Sequence, residues 1–287
     1  FAYGHDGSSE VSLKNLVNSS GVVASDVTGV GTARQQVGAT SYGEDKAIYG
    51  YGYSGGYVSM SNLVNNAGVI ATDVSGVGTA RYKIGAARYG GNKGLFGFGS
   101  NDGGLLGVTN LVSNVGVISG DVSAVGTART SCYGTGYGGD KAIFAYGNSP
   151  SAGDYNISNL VSNVGVVASD TSGVGTARKT ATAAGYGDDL ALFYNGIDAA
   201  GGYHVVRNLV SNVGVVASDA SSTGTARMFG AAASYGGDKA IHAYGSNGSG
   251  KLSMSNLCSN TGVIAADVTG VGTARSSLAG AGYSQSA

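Results

Sequence analysis

The chain has 287 residues, a formal net charge of -1, and 53 glycines against one proline and no tryptophan. Charged residues make up only 11% and glutamate occurs only at Glu10 and Glu44, too few long polar residues to coat the helices of a bundle or coiled coil. The glycines lack the three-residue period of collagen, the balanced charge offers no basic face to nucleic acid, and 42% apolar residues suffice for a core.

Elements follow one another in a repeat. The chain opens at Phe1–Gly4, which reads as the tail of a strand, and runs through a turn-rich segment, 5–14. A strand is expected around Asn15-Leu16, then one over 21–27, then a turn at 28–31 and a Gly-Thr-Ala-Arg tetrapeptide ending at Arg34. A small-residue strand follows, then Tyr42-Gly43 and an apolar strand within 42–52. The pattern then starts again. The Asn recurs as Asn15, Asn62, Asn110, Asn159, Asn208 and Asn256, eleven residues before Asp26, Asp73, Asp121, Asp170, Asp219 and Asp267. Eight residues after each Asp stands Arg34, Arg81, Arg129, Arg178, Arg227 or Arg275. The period varies between 47 and 49 residues, and the variation falls mainly between the second and third strand.

Four short strands in a unit of about 48 residues are the signature of a propeller blade. Six units predict an all-β, six-bladed propeller forming a single domain over 1–287. The final segment, 273–287, repeats the first strand of a unit, so it is expected to complete the sheet that Phe1 opens. Gly43, Gly90, Gly138, Gly187 and Gly236 are expected in turns that need positive φ, and runs such as AGAGYS in crowded inner strands.

The Ala-Arg at an inner strand, the following apolar strand that ends in Tyr-Gly, and the two strands after it resemble a kelch-type repeat. That resemblance implies the same propeller architecture, with Tyr3-Gly4, Tyr146-Gly147 and Tyr244-Gly245 at the end of the second strand. The phrases NLVSNVGVVASD (159–170 and 208–219) and DKAIFAYG (140–147) are also similar to tandem arrays in structural and tail-fibre proteins of tailed phages.

The six Asp and six Arg are expected to hold the repeat together, since a binding site seldom needs six copies. Asp45-Lys46, Asp140-Lys141 and Asp238-Lys239 read as solvated turns. His5, His204 and His242 fall in separate units, with no spacing for a metal set. Cys132 and Cys258 read as buried small residues. No nucleophile, phosphate loop or metal motif points to catalysis, and no cofactor is expected. Specificity is expected in the variable loops, which would share one face. They present His5 and Asp6; Tyr53 and Tyr57; Asn101 and Asp102; Asp154 and Tyr155; Asp198, Tyr203 and His204; Asn247 and Lys251. Tyr with Asn and Asp suits sugar or protein recognition. The expected function is a non-catalytic structural and binding module, in concrete form the receptor- or glycan-binding disc of a phage virion appendage. A secreted or cell-surface bacterial lectin and a kelch-like interaction scaffold are the alternatives. The expected setting is a virion or the extracellular space. The partners are a cell-surface glycan or protein receptor or other virion proteins, without nucleic acid or membrane insertion.

Overall fold

A computed structural model describes residues 1–123 and 125–283, and it is all β, with no helix among them. Among the described residues, therefore, no helix is long and apolar enough to cross a membrane. Each of five repeats builds a small antiparallel sheet. The inner strands are Gly38–Tyr42, Gly85–Tyr89, Tyr133–Tyr137, Thr182–Tyr186 and Ala231–Tyr235. Each pairs with an apolar second strand: Lys46–Tyr53, Lys93–Gly97, Lys141–Ala145, Leu190–Tyr194 or Lys239–Asn247. The second strand pairs in turn with the third: Tyr57–Val64, Val108–Val112, Ser158–Val161, Val206–Val210 or Gly250–Cys258.

The sixth sheet joins the two ends of the chain. Ala2 bridges both Ala279 and Lys14, and His5 bridges both Ser276 and Glu10. The Ala2 N–H donates to Ala279 at 3.0 Å, and the His5 N–H to Ser276 at 2.9 Å. Of the segment expected to make this join, residues 284–287 lie outside those described.

The fourth strand departs from expectation. It is a named strand in only two sheets, as Val122–Ser123 and Ala220–Ser221, and otherwise two isolated bridges. In the first sheet Val64 faces Ile70 while Ser61 faces Val74, so three steps on one strand oppose four on the other. That extra residue is a β-bulge. Its cause is Asn62, whose side-chain amide takes the carbonyl of Ala71 at 3.0 Å and displaces the ladder. The same offset recurs in all six repeats.

The core lies between sheets. Six apolar clusters each draw on two consecutive repeats, and two of them link the sixth sheet to the fifth and to the first. The buried core of each interface carries an edge-to-face aromatic pair with centroids 5.2–5.7 Å apart, among them Tyr3–Tyr49, Phe98–Phe144 and Phe1–Tyr244. The rings reach this close because glycine faces them. A Cβ on Gly85 would lie 2.8 Å from the Phe144 ring, and one on Gly97 would lie 3.0 Å from it.

The inner strands of consecutive sheets touch, and Ser41 Oγ donates to the carbonyl of Gly282, which brings the chain end beside the first inner strand. All six inner segments line one cavity of about 700 Å³. At one end of it runs a cycle of six backbone hydrogen bonds. Lys83 donates to Gln36, Ser131 to Lys83, Thr180 to Ser131, Phe229 to Thr180, Ser277 to Phe229 and Gln36 to Ser277, at 2.6–3.3 Å. All six residues have φ of 54–59°. The opposite end carries the turns at Gly43, Gly90, Gly138, Gly187 and Gly236, with φ of 57–60° as the sequence predicts.

His242 occupies the second-strand position held elsewhere by Phe96, Phe144 and Phe193, is fully buried, and shares a 2.7 Å hydrogen bond with Thr182 Oγ1. Burial, with the Arg227 charge adding to it, pushes its pKa down from 6.5 to about 3. The folded state thus holds the ring neutral while the unfolded chain protonates it. Stability from this site is complete above the unfolded value and is lost as pH falls from about 6.5 towards 3. Relative to His242→Phe, the natural chain is expected to lose about 2–3 kcal/mol between pH 7 and pH 4.5. Urea midpoints of both chains at the two pH values measure this, and parallel shifts would overturn it.

Candidate functional site

The recurrent Arg, Asn, Asp and Thr meet at every junction between repeats, but not within one repeat. Arg34, eight residues after Asp26, reaches forward into the next sheet instead. Its guanidinium is fully buried and donates from Nε to the carbonyl of Tyr51 at 3.0 Å, from Nη1 to Thr32 at 3.2 Å, and from Nη2 to Asn62 Oδ1 at 2.6 Å. Asn62 donates in turn to Asp73 Oδ1 at 2.9 Å. Asp73 also accepts the backbone N–H of Thr32 at 3.0 Å and its hydroxyl at 2.7 Å. The guanidinium carbon lies 4.1 Å over the Tyr3 ring of the sheet behind, and that Tyr hydroxyl donates to Val30 at 3.2 Å.

Equivalent groups surround Arg81 with Asp121, Arg129 with Asp170, Arg178 with Asp219 and Arg227 with Asp267. The third junction lacks one bond: Arg129 Nη2 and Asn159 Oδ1 are both buried without a hydrogen-bond partner. In the fifth, Arg227 Nε has none. The sixth junction joins the chain ends, with Arg275 on Tyr3 and Asn15 and Thr273 on Asp26. The Arg–Asp distances are 3.6–4.0 Å, so the Asn amide carries the contact between the two charges. Partial burial would raise each Asp carboxyl, but the Thr hydroxyl, Asn amide and Thr N–H outweigh it and hold all six below their usual range.

The variable loops all leave the end of the second strand and lie on the face that carries the six-residue hydrogen-bond cycle. Most satisfy themselves. His5 Nδ1 accepts from Gly7, and Asp6 accepts from Ser8 and Ser9. Asn101 accepts from Gly103, and Asn247 from Ser249. Asp198 holds His204 at 2.9 Å and the Gly202 N–H at 2.8 Å. Tyr203 bridges Ile197, and Tyr155 donates its N–H to Gly147.

Other loops touch a residue that sequence reasoning overlooked, the one directly after each Arg. Asp154 pairs with Lys179 at 3.3 Å, Lys251 donates to Ser276 at 2.8 Å, and Gln35 donates to Glu10 at 3.0 Å. The signal was present: a position that differs in every repeat stands beside an Arg that never does.

One such meeting builds a surface with binding character. Tyr53, Tyr57 and Tyr82 pack edge to face or tilted, with centroids 5.0–6.1 Å apart. Tyr57 OH donates to Asp102 in the next sheet at 3.0 Å, and Lys83 Nζ lies 4.7 Å from the Tyr82 centroid. All three rings are half-buried and Asp102 is exposed. The contact with Asp102 raises the Tyr57 hydroxyl above its ordinary pKa. Among the described residues no group of three or more His, Cys, Asp or Glu could hold a metal ion. Cys132 and Cys258 are both fully buried. Comparison with protein-family models and with curated proteins found no match.

Removing a junction Arg strands several buried acceptors. Arg178→Met is expected to cost about 3–5 kcal/mol. Arg275→Met is expected to cost as much, if the junction of the chain ends equals the internal ones. Denaturant titration of the two variants tests this, and a near-neutral Arg275→Met would overturn it. The six depressed Asp carboxyls add stability that is complete above their unfolded value near 3.9 and is lost as pH falls through the lower folded values. Acid unfolding should therefore steepen below about pH 4, and Asp73→Asn should flatten that limb when followed by circular dichroism.

Proposed function

We propose that the chain is a six-bladed β-propeller that acts as a non-catalytic recognition disc, binding a glycan or glycosylated receptor through its variable-loop face. Three features support the architecture: apolar clusters that link consecutive repeats from first to sixth and back, inner segments that share one cavity, and a six-membered hydrogen-bond cycle. A kelch-like propeller accounts for these features and for the repeat period.

One observation carries the binding reading: the Tyr53–Tyr57–Tyr82 cluster with Asp102. Rigid aromatic faces stack on the apolar side of a sugar ring, and a neighbouring carboxylate accepts its hydroxyls. Elsewhere on this face the polar side chains are largely taken up by their own loops. The phrase-level likeness to phage tandem arrays favours a virion appendage, such as a tail fibre, acting outside the cell. A constant frame with divergent loops is also what a receptor-binding part requires.

Glycan-array and whole-bacterium binding by the purified chain tests the proposal. Tyr57→Ala and Tyr82→Ala are each expected to weaken binding by roughly 5- to 30-fold, about 1–2 kcal/mol, at unchanged thermal midpoint. Exchanging loop 198–204 for loop 148–155 is expected to leave it unchanged. Absence of binding to any sugar or cell, or binding indifferent to both Tyr substitutions, would overturn this reading.

A further inference from the structure

The wall of the central cavity obeys a size rule with one exception. The residue before the closing Tyr of each inner segment is Ser41, Gly136, Gly185, Ser234 or Gly282, but in the second repeat it is Arg88. It is the one charged residue on the inner strands. The equivalent serines bond to the preceding repeat, Ser41 to the Gly282 carbonyl at 2.7 Å and Ser234 to the Gly185 carbonyl at 3.0 Å. Arg88 does not follow them. Its Nε is buried without a hydrogen-bond partner, and its guanidinium makes no ion pair within 4 Å among the described residues.

An arginine does not shed its charge, so a half-buried guanidinium with no protein acceptor leaves donors open to an anionic ligand. At the junctions Arg129 Nη2 and Arg227 Nε also lack a partner, but each of those side chains keeps at least two other acceptors, whereas the Arg88 side chain makes no hydrogen bond among the described residues. Glu44, Lys141 and Asp188 also line the cavity, and Glu44 is the carboxylate that acts on the Arg88 charge. Glu44 and Asp188 are exposed to solvent in the turns beside the mouth. The cavity's lining begins below the six-residue hydrogen-bond cycle, and Val37, Ile84, Cys132 and Leu278 are buried at the intervening level. Each inner strand pairs on one side only, so it leaves backbone donors and acceptors out of the ladder along the cavity.

We propose that this cavity binds a compact oxyanion, best a carboxylate on a small polyhydroxy ligand, with Arg88 as its fork-shaped partner. Its volume of about 700 Å³ falls within the range of small-molecule sites. Guanidinium pairs with carboxylate through two parallel N–H bonds, and the edge backbone groups and serines suit hydroxyls. The site opens on the face opposite the variable loops and is independent of recognition there.

Isothermal titration calorimetry of the whole chain with D-glucuronate, D-glucose and inorganic sulfate tests it. Saturable glucuronate binding is expected, with glucose silent. Sulfate binding as tightly as glucuronate would reduce the ligand to any oxyanion and overturn the carboxylate preference. Arg88→Gln should weaken glucuronate about tenfold or more at unchanged thermal midpoint, and Arg88→Lys should fall between. Glu44→Gln should bind at least as tightly as the natural chain, and Tyr57→Ala should bind equally. No saturable binding of either anion, or glucuronate binding that survives Arg88→Gln, would overturn the proposal.

Discussion

A buried guanidinium at every junction between repeats is the constraint on which the rest depends. A small antiparallel sheet of three or four short strands is not stable alone, because each of its faces needs a partner. At the first junction Arg34 binds the carbonyl at the end of the second strand, the Asn of the third and, through that Asn, the Asp of the fourth. It also lies over an aromatic ring of the sheet behind. A single side chain thereby fixes the spacing and orientation of two neighbouring sheets. The cation is matched by an Asp 3.6–4.0 Å away, close enough to neutralise it and far enough to leave the Asn amide between them.

Backbone strain follows from the same junction. The residue at the end of the second strand has positive φ in every repeat: Tyr3, Tyr51, Phe98, Tyr146, Asn195 and Tyr244, at 60–65°, and in all but the last its carbonyl meets Nε. Aromatic residues rarely adopt that conformation. It turns the carbonyl towards the Arg and leaves the ring under the next guanidinium, and the following glycine absorbs the return of the chain. In the fourth repeat the aromatic ring has moved one place back, to Tyr194, whose hydroxyl still donates to the connecting segment at Thr223. The bulged fourth strand answers to the same need, since Asn62 and its counterparts are bonded to the Asp, and all but Asn159 to the Arg, instead of leaving the ladder intact.

Constant junctions leave other positions free to differ. The residue after each Arg changes from Gln35 to Tyr82, Thr130, Lys179, Met228 and Ser276, and the loops change with it. The inner strands tolerate one Arg among glycines and serines for the same reason, as the cavity interior takes no part in the junctions. Variety therefore accumulates on the loop face and in the cavity.

The sequence by itself determined the all-β class, the six units, the turn glycines and the role of the join between chain start and chain end. Those features are written in local period and composition, which one chain displays six times over. His242 as a core substitution was legible too, because five other repeats supply the comparison. Tertiary structure alone decided the partners. Constant spacing left each Asp to pair with an Arg of its own unit or of a neighbouring one, and packing gives Arg34 Asp73, because the connecting segment delivers each Arg into the following sheet. It also decided the fate of the fourth strand, which reads as a continuous apolar run but breaks where a side-chain amide competes for its carbonyl. The meeting of Tyr57 with Tyr82 and Asp102, and the isolation of Arg88, depend on where neighbouring sheets stand in space. No spacing along one chain encodes a distance between side chains that different strands carry.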